Sequence, residues 1–105
     1  MVWTVAPLNP ILGIYAAVTR KTTDGANPDG WFPEQKISVK EAIACYTVNN
    51  AYAAFEEDEK GSMTPGKLAD FVILSDNILT INPVDIEHVT VVRTVVGGKT
   101  LYVKE

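Results

Sequence analysis

Residues 61–74 read GSMTPGKLADFVIL. Before this stretch apolar residues recur at threes and fours, and after it they recur at twos, so the fold class is decided here. Pro65-Gly66 marks a sharp turn. Phe71 to Leu74 is a short apolar run closed by Ser75-Asp76-Asn77, and it reads as a buried strand. A flexible turn carrying Lys67 and Asp70 therefore hands the chain from a helical half to a β half.

Upstream, Val2, Trp3 and Val5 are strand formers, followed by prolines 7 and 10. Asn9-Pro10 is a helix start: Asn caps, and Pro at the first helical position loses no hydrogen bond. Ile11, Ile14, Tyr15 and Val18 then fall on one face, and Arg20 and Lys21 are expected in the last turn, where they suit the helix dipole. TTDGANPDG (22–30) is a loop by composition, with two Asp-Gly turn signals. ISVKEAIACYTVNNAYAAF (37–55) predicts one long helix. Ser38 and Glu41 form a capping box, and Val39, Ala42, Ile43, Tyr46, Asn50, Ala53 and Ala54 form an alanine-rich face.

Downstream, HVTVVRTVVGGKTLYVKE predicts strands at 89–96 and 99–103 joined by Gly97-Gly98 as a two-residue hairpin turn. The class is α+β: a helical N-terminal half followed by a small antiparallel hairpin or meander.

The 105 residues suffice for one domain, expected to form one compact unit in isolation, and 47% hydrophobic with 21% charged residues places the chain among globular proteins. Nine basic against thirteen acidic residues give a net charge of −4, with no basic cluster larger than Arg20-Lys21, so a nucleic-acid footprint is lacking. No apolar run approaches the ~20 residues that span a bilayer. The first ten residues lack the pattern of a signal peptide, and the expected location is the cytoplasm, with no membrane partner.

Chemistry-bearing residues are few. The single cysteine, Cys45, excludes an intrachain disulfide and reads as a small buried residue of an alanine-rich helix rather than a nucleophile. His88 is the single histidine and reads as a strand-edge residue, since neither a zinc site nor a Ser-His-Asp triad can be built around it. The acidic run 56–60 reads as a solvated helix end. GGKT at 97–100 is not a phosphate loop, because Arg93 stands where the first glycine is required and a strand follows. Trp31 and Phe32 plug a hydrophobic surface or line a ligand site; the first is the commoner use of such a pair. No set of residues here composes a catalytic or metal site.

The motifs together resemble the closing segment of the metal-dependent amidohydrolase superfamily. Gly61, Ser62, Gly66, Lys67, Ala69 and Asp70, followed by FVIL, match its Gly-Ser/Thr … Gly-Lys-x-Ala-Asp turn and strand. VVRTVVGGKTLYV is similar to its final hairpin, and 37–55 to a helix with Glu-Ala and Thr-x-Asn-x-Ala. NPILGIYAAVTR and GWFPEQKIS resemble the branch that includes N-substituted formamide deformylase. The resemblance runs over essentially the whole chain.

That resemblance implies a (β/α)8 barrel with a small β-sandwich built from both chain ends. Residues 1–60 would be the last, mainly helical part of the barrel and 61–105 the C-terminal strands of the sandwich. Gly66, Lys67, Ala69 and Asp70 would be structural, shaping the turn between them. The family's divalent metal, zinc by expectation, is held by histidines and an aspartate upstream; laid on the pattern, that aspartate falls at Val2. The implied parent reaction is hydrolysis of non-peptide carbon-nitrogen bonds by metal-activated hydroxide, and this chain alone is expected to be inert. Trp3 and Arg20 are the candidate neighbours of the parent's substrate pocket. Without the barrel, Ile11, Ile14, Val18, Ile43, Tyr46 and Ala53 would be bare, which predicts a homo-oligomer, pairing with the missing N-terminal part, or repacking between the helices and the hairpin. The alternative role is a stand-alone interaction or dimerisation module.

Overall fold

The computed structural model describes residues 9–105. Three α-helices, two short 3-10 helices and a three-stranded antiparallel sheet of order β1-β2-β3 give an α+β chain. It divides into two compact units that interleave along the sequence. One holds the described residues up to Ala42 together with Asn77–Val89; the other holds Ile43–Asp76 and Thr90–Glu105.

In the first unit, α1 spans Pro10–Thr19 and starts where the Asn-Pro signal places it: the Asn9 side chain accepts a hydrogen bond from the Ile11 amide at 3.0 Å. Its buried residues are Ile11, Ile14, Tyr15, Val18 and Thr19, the expected face extended by one polar residue. Thr19 is accommodated because its hydroxyl donates to the Tyr15 carbonyl at 2.7 Å. The helix stops two residues earlier than the dipole argument assumed: it ends at Thr19, Arg20 is its left-handed C-cap, and Lys21 lies beyond the end.

The α1 face is not bare. It packs against the 3-10 helix Pro83–His88, which sequence reading missed. There Ile86 is fully buried, flanked by buried Ile78 and Val89. The missed helix carries the signal that identified α1: Asn82 accepts from the Val84 amide at 3.3 Å, and Pro83 is its first residue.

The predicted long helix is two helices, α2 (Val39–Tyr46) and α3 (Val48–Ala53). The capping box forms: the Glu41 amide donates to Ser38 Oγ at 3.1 Å, and Glu41 Oε1 accepts from the Ser38 amide at 3.4 Å. The break is at Thr47, whose φ of −123° and ψ of −93° leave the helical region. Its hydroxyl donates back to the Ile43 carbonyl at 2.8 Å and its amide tightens onto Ala44 at 3.2 Å, so a β-branched residue followed by Val48 interrupts the ladder. The break resets the buried face. Ala42 and Ala51 are buried, whereas Tyr46, Asn50, Ala53, Ala54 and also Cys45 are exposed. α3 ends in a Schellman motif, with the Glu56 amide bonded to Ala51 and the Phe55 amide to Tyr52. Phe55 occupies the left-handed position usually given to glycine, at φ 60°.

In the second unit, β1 (Phe71–Leu74) pairs with β2 (Val91–Val96), which pairs with β3 (Lys99–Val103). The hairpin turn is Gly97-Gly98 as expected, with φ of 59° and 78°, the combination a two-residue turn requires. β2 starts at Val91 rather than Val89, because Val89 caps the preceding 3-10 helix. Among the described residues, each of β1 and β3 has one free edge. FVIL is not the buried strand expected: Val72 and Ile73 are 51% and 45% exposed, and Val95 is the one fully buried position among the described strands. Among the described residues no helix is long and apolar enough to cross a membrane.

Candidate functional site

The GKLAD turn is built as a latch on the hairpin. Gly66, at φ 94°, makes the bend, and the Lys67 amide closes it onto the Thr64 carbonyl at 3.0 Å. Lys67 Nζ donates to Ser62 Oγ at 3.1 Å, and Ser62 pairs with the Thr64 hydroxyl at 2.8 Å. The Leu68 amide bonds to the Glu59 carbonyl at 2.7 Å, tying the turn to the acidic run. Asp70 Oδ1 accepts from the Gly97 amide at 2.7 Å, and the Ala69 carbonyl accepts from the Gly98 amide at 3.0 Å. Both amides of the hairpin turn are therefore satisfied by the motif 27 residues upstream.

A shallow cavity of about 530 Å³ lies in the same unit, lined among others by Tyr46, Asn50, Glu56, Lys60, Asp70 and Phe71. Two of its three charged members pair: Lys60 and Glu56 are 2.6 Å apart, and that carboxylate raises the lysine above its ordinary 10.5. Gly61 also borders it, with so little room that an added Cβ would stand 2.8 Å from Ala51 Cβ. Alanine at position 51 and glycine at position 61 are thus one packing decision.

In the first unit the structure brings together two positions that sequence reading raised separately. Arg20 Nε donates to the Trp31 carbonyl at 2.9 Å, and the Trp31 amide donates to the Arg20 carbonyl at 2.7 Å. The guanidinium lies 5.5 Å from the centre of the indole, within cation–π range. Trp31 and Phe32 stack edge to face, 4.6 Å between ring centres, and both are exposed. Trp3, the other candidate pocket neighbour, lies outside the described residues. Lys21, Thr22 and Asn27 complete a second cavity of about 350 Å³ around this clamp; from the sequence Lys21 is expected in the last turn of α1 and Thr22 and Asn27 in the loop, and the adjacent Arg20-Lys21 pair is the available signal.

His88 sits exposed at the end of a 3-10 helix rather than on a strand edge, 3.4 Å from Glu87. Among the described residues no three His, Cys, Asp or Glu side chains converge. The donors of this chain do not fit a metal centre, which needs three or four ligands at one point.

The comparisons with known proteins agree with the motifs. A model described as "Amidohydrolase family" matches residues 3–102. The chain belongs to the amidohydrolase family. It is 42% identical over 100 residues to "Protein LONG AFTER FAR-RED 3" of Arabidopsis thaliana, covering 95% of this chain and 17% of that protein. It is 30% identical over 89 residues to N-substituted formamide deformylase of Arthrobacter pascens, covering 85% of this chain and 16% of that enzyme. Among solved structures, an amidohydrolase from Thermotoga maritima MSB8 superimposes with a TM-score of 0.56 at 28% identity, covering 68% of this chain and 17% of that one. The chain thus spans about a sixth of the length of these proteins.

Proposed function

We propose that this chain is the C-terminal part of an amidohydrolase whose whole hydrolyses non-peptide carbon-nitrogen bonds, and that the chain is inert by itself. The supporting observation is a pairing: the family match runs almost end to end, yet the chain spans about a sixth of its relatives and carries no converging ligand set among its described residues. A divalent metal, zinc by preference, would activate water in the whole enzyme, held by residues other than these. No step of that chemistry runs through this chain's side chains. Its contribution is architectural: residues 1–60 would close the barrel, and 61–105 would add strands to the β-sandwich, joined by the latch at Gly66, Lys67, Ala69 and Asp70.

Exposed apolar side chains fit a chain made to be covered. Phe55 is 92% exposed although it occupies a strained backbone position, and Tyr52, Met63 and Leu101 are also exposed. The same surfaces favour a second reading, an interaction module that self-associates. Metal content and turnover test the proposal, and sedimentation separates the two readings. The purified chain is exposed to zinc, dialysed and analysed for metal per chain, and it is assayed against formamide and cyclic-amide substrates. Near-zero metal and no turnover are expected; one retained metal per chain or measurable hydrolysis overturns the proposal. Sedimentation of the chain alone gives monomers or ill-defined aggregates on the first reading and a discrete oligomer on the second.

A further inference from the structure

We propose that the cavity formed by Arg20, Lys21, Asn27 and Trp31 is a binding site for the carboxylate of a small organic acid with an apolar body. Its described lining lies wholly within the first unit.

Charge pairing is the first argument. The chain has thirteen acidic residues, all among the described positions, yet neither Arg20 nor Lys21 forms an ion pair there. Both are half-buried, where a cation without a partner is costlier than on an open surface. The nearest acid in sequence, Asp24, is engaged within its own loop: it accepts from the Thr22 hydroxyl at 2.5 Å and the Ala26 amide at 2.9 Å, which hold it below its ordinary 3.8. Asp24 does not line the cavity.

Preorganisation is the second. Arg20 sits at φ 59°, an uncommon conformation for a long side chain, and its backbone is fixed from both sides by Ala16 and Trp31. Nε is committed to the Trp31 carbonyl, which aligns the guanidinium, and among the described residues the two terminal nitrogens have no hydrogen-bond partner. Those nitrogens form a planar fork that matches a carboxylate with two parallel hydrogen bonds. Lys21 adds a second positive charge. Asn27 Nδ2 makes only a long 3.4 Å contact to Thr22 and supplies a further donor.

Size and apolar content set the rest. About 350 Å³ is at the small end of ligand sites, and the exposed Trp31 indole forms the apolar wall. A compact aryl or acyl carboxylate satisfies both the fork and the wall.

The test is a titration of the full 105-residue chain with sodium benzoate, followed by ¹H–¹⁵N NMR, with sodium phosphate and sodium chloride at matched ionic strength. Benzoate is expected to move the Arg20 Nε–H, the Trp31 indole N–H and the amides of residues 20–27 saturably. Lys21→Gln, which leaves the Arg20–Trp31 clamp intact, should weaken binding at least about threefold through loss of one charge, and Arg20→Gln should abolish it. Shifts that grow linearly and match those of chloride overturn the site. So does benzoate binding that survives both substitutions. Phosphate saturating the same resonances more tightly than benzoate overturns the carboxylate assignment and makes the cavity a phosphate site.

Discussion

Gly61→Ala tests the packing that joins the amidohydrolase turn to α3. Gly61 has φ 100°, so any side chain there meets backbone strain of about 1–2 kcal/mol. A Cβ would also stand 2.8 Å from Ala51 Cβ, 3.2 Å from Val48 Cα and 3.4 Å from the Thr47 carbonyl oxygen. Two of those three atoms are backbone, so relief requires moving α3, and overpacking of this kind adds about 1–3 kcal/mol. The sum is about 2–5 kcal/mol, a large part of the stability of a small chain. Gly66→Ala is the matched control: φ is 94°, but a Cβ there would meet nothing within 4 Å, so only the backbone term applies. In urea unfolding followed by far-ultraviolet circular dichroism, the two variants should differ by about 2 kcal/mol, or roughly 0.7–2 M in midpoint at a small-protein slope. Ala51→Gly removes the closest atom. Although it weakens α3 by about 1 kcal/mol alone, it should recover part of the Gly61→Ala loss, a coupling of about 1–2 kcal/mol in the double-mutant cycle. Equal losses in the two glycine variants, within about 0.5 kcal/mol, or no coupling with Ala51, would refute the close approach.

Two further expectations concern the latch and the core. Asp70→Ala removes the acceptor of the Gly97 amide and should destabilise by about 1 kcal/mol, since the site is exposed, whereas Asp70→Asn keeps an oxygen there and should lose less; hydrogen exchange at Gly97 reports it directly. Ile86→Ala empties the fully buried position between α1 and its 3-10 partner and should cost about 2–4 kcal/mol, against under about 1 kcal/mol for exposed Val84→Ala, read from Trp31 fluorescence on urea unfolding in a Trp3→Phe background.

Local signals carried most of what the sequence made legible. Asn9-Pro10, the Ser38–Glu41 box and Gly97-Gly98 each specify a hydrogen bond or a φ value within a few residues, and each forms as read. The break at Thr47 was not legible, because a threonine hydroxyl bonding back to Ile43 looks, in sequence, like any helical threonine. Exposure was also hidden. Periodicity marks a face as apolar but not what lies against it, so FVIL and Cys45 were read as buried and α1 as bare, each opposite to the structure. The Arg20–Trp31 clamp spans eleven residues of loop, where composition predicts no contacts at all. By contrast, the 3-10 helix at Pro83 is legible in its own Asn-Pro step.

The interleaving of the two units sets a schedule for synthesis. The apolar stripe of α1 is complete once residue 19 has been made, but its cover, Ile86, arrives 67 residues later. At the ~5–20 residues per second of a translating ribosome, that stripe stays open for roughly 3–13 seconds. Throughout that interval the nascent chain presents Ile11, Ile14 and Val18 to whatever binds apolar segments near the tunnel exit.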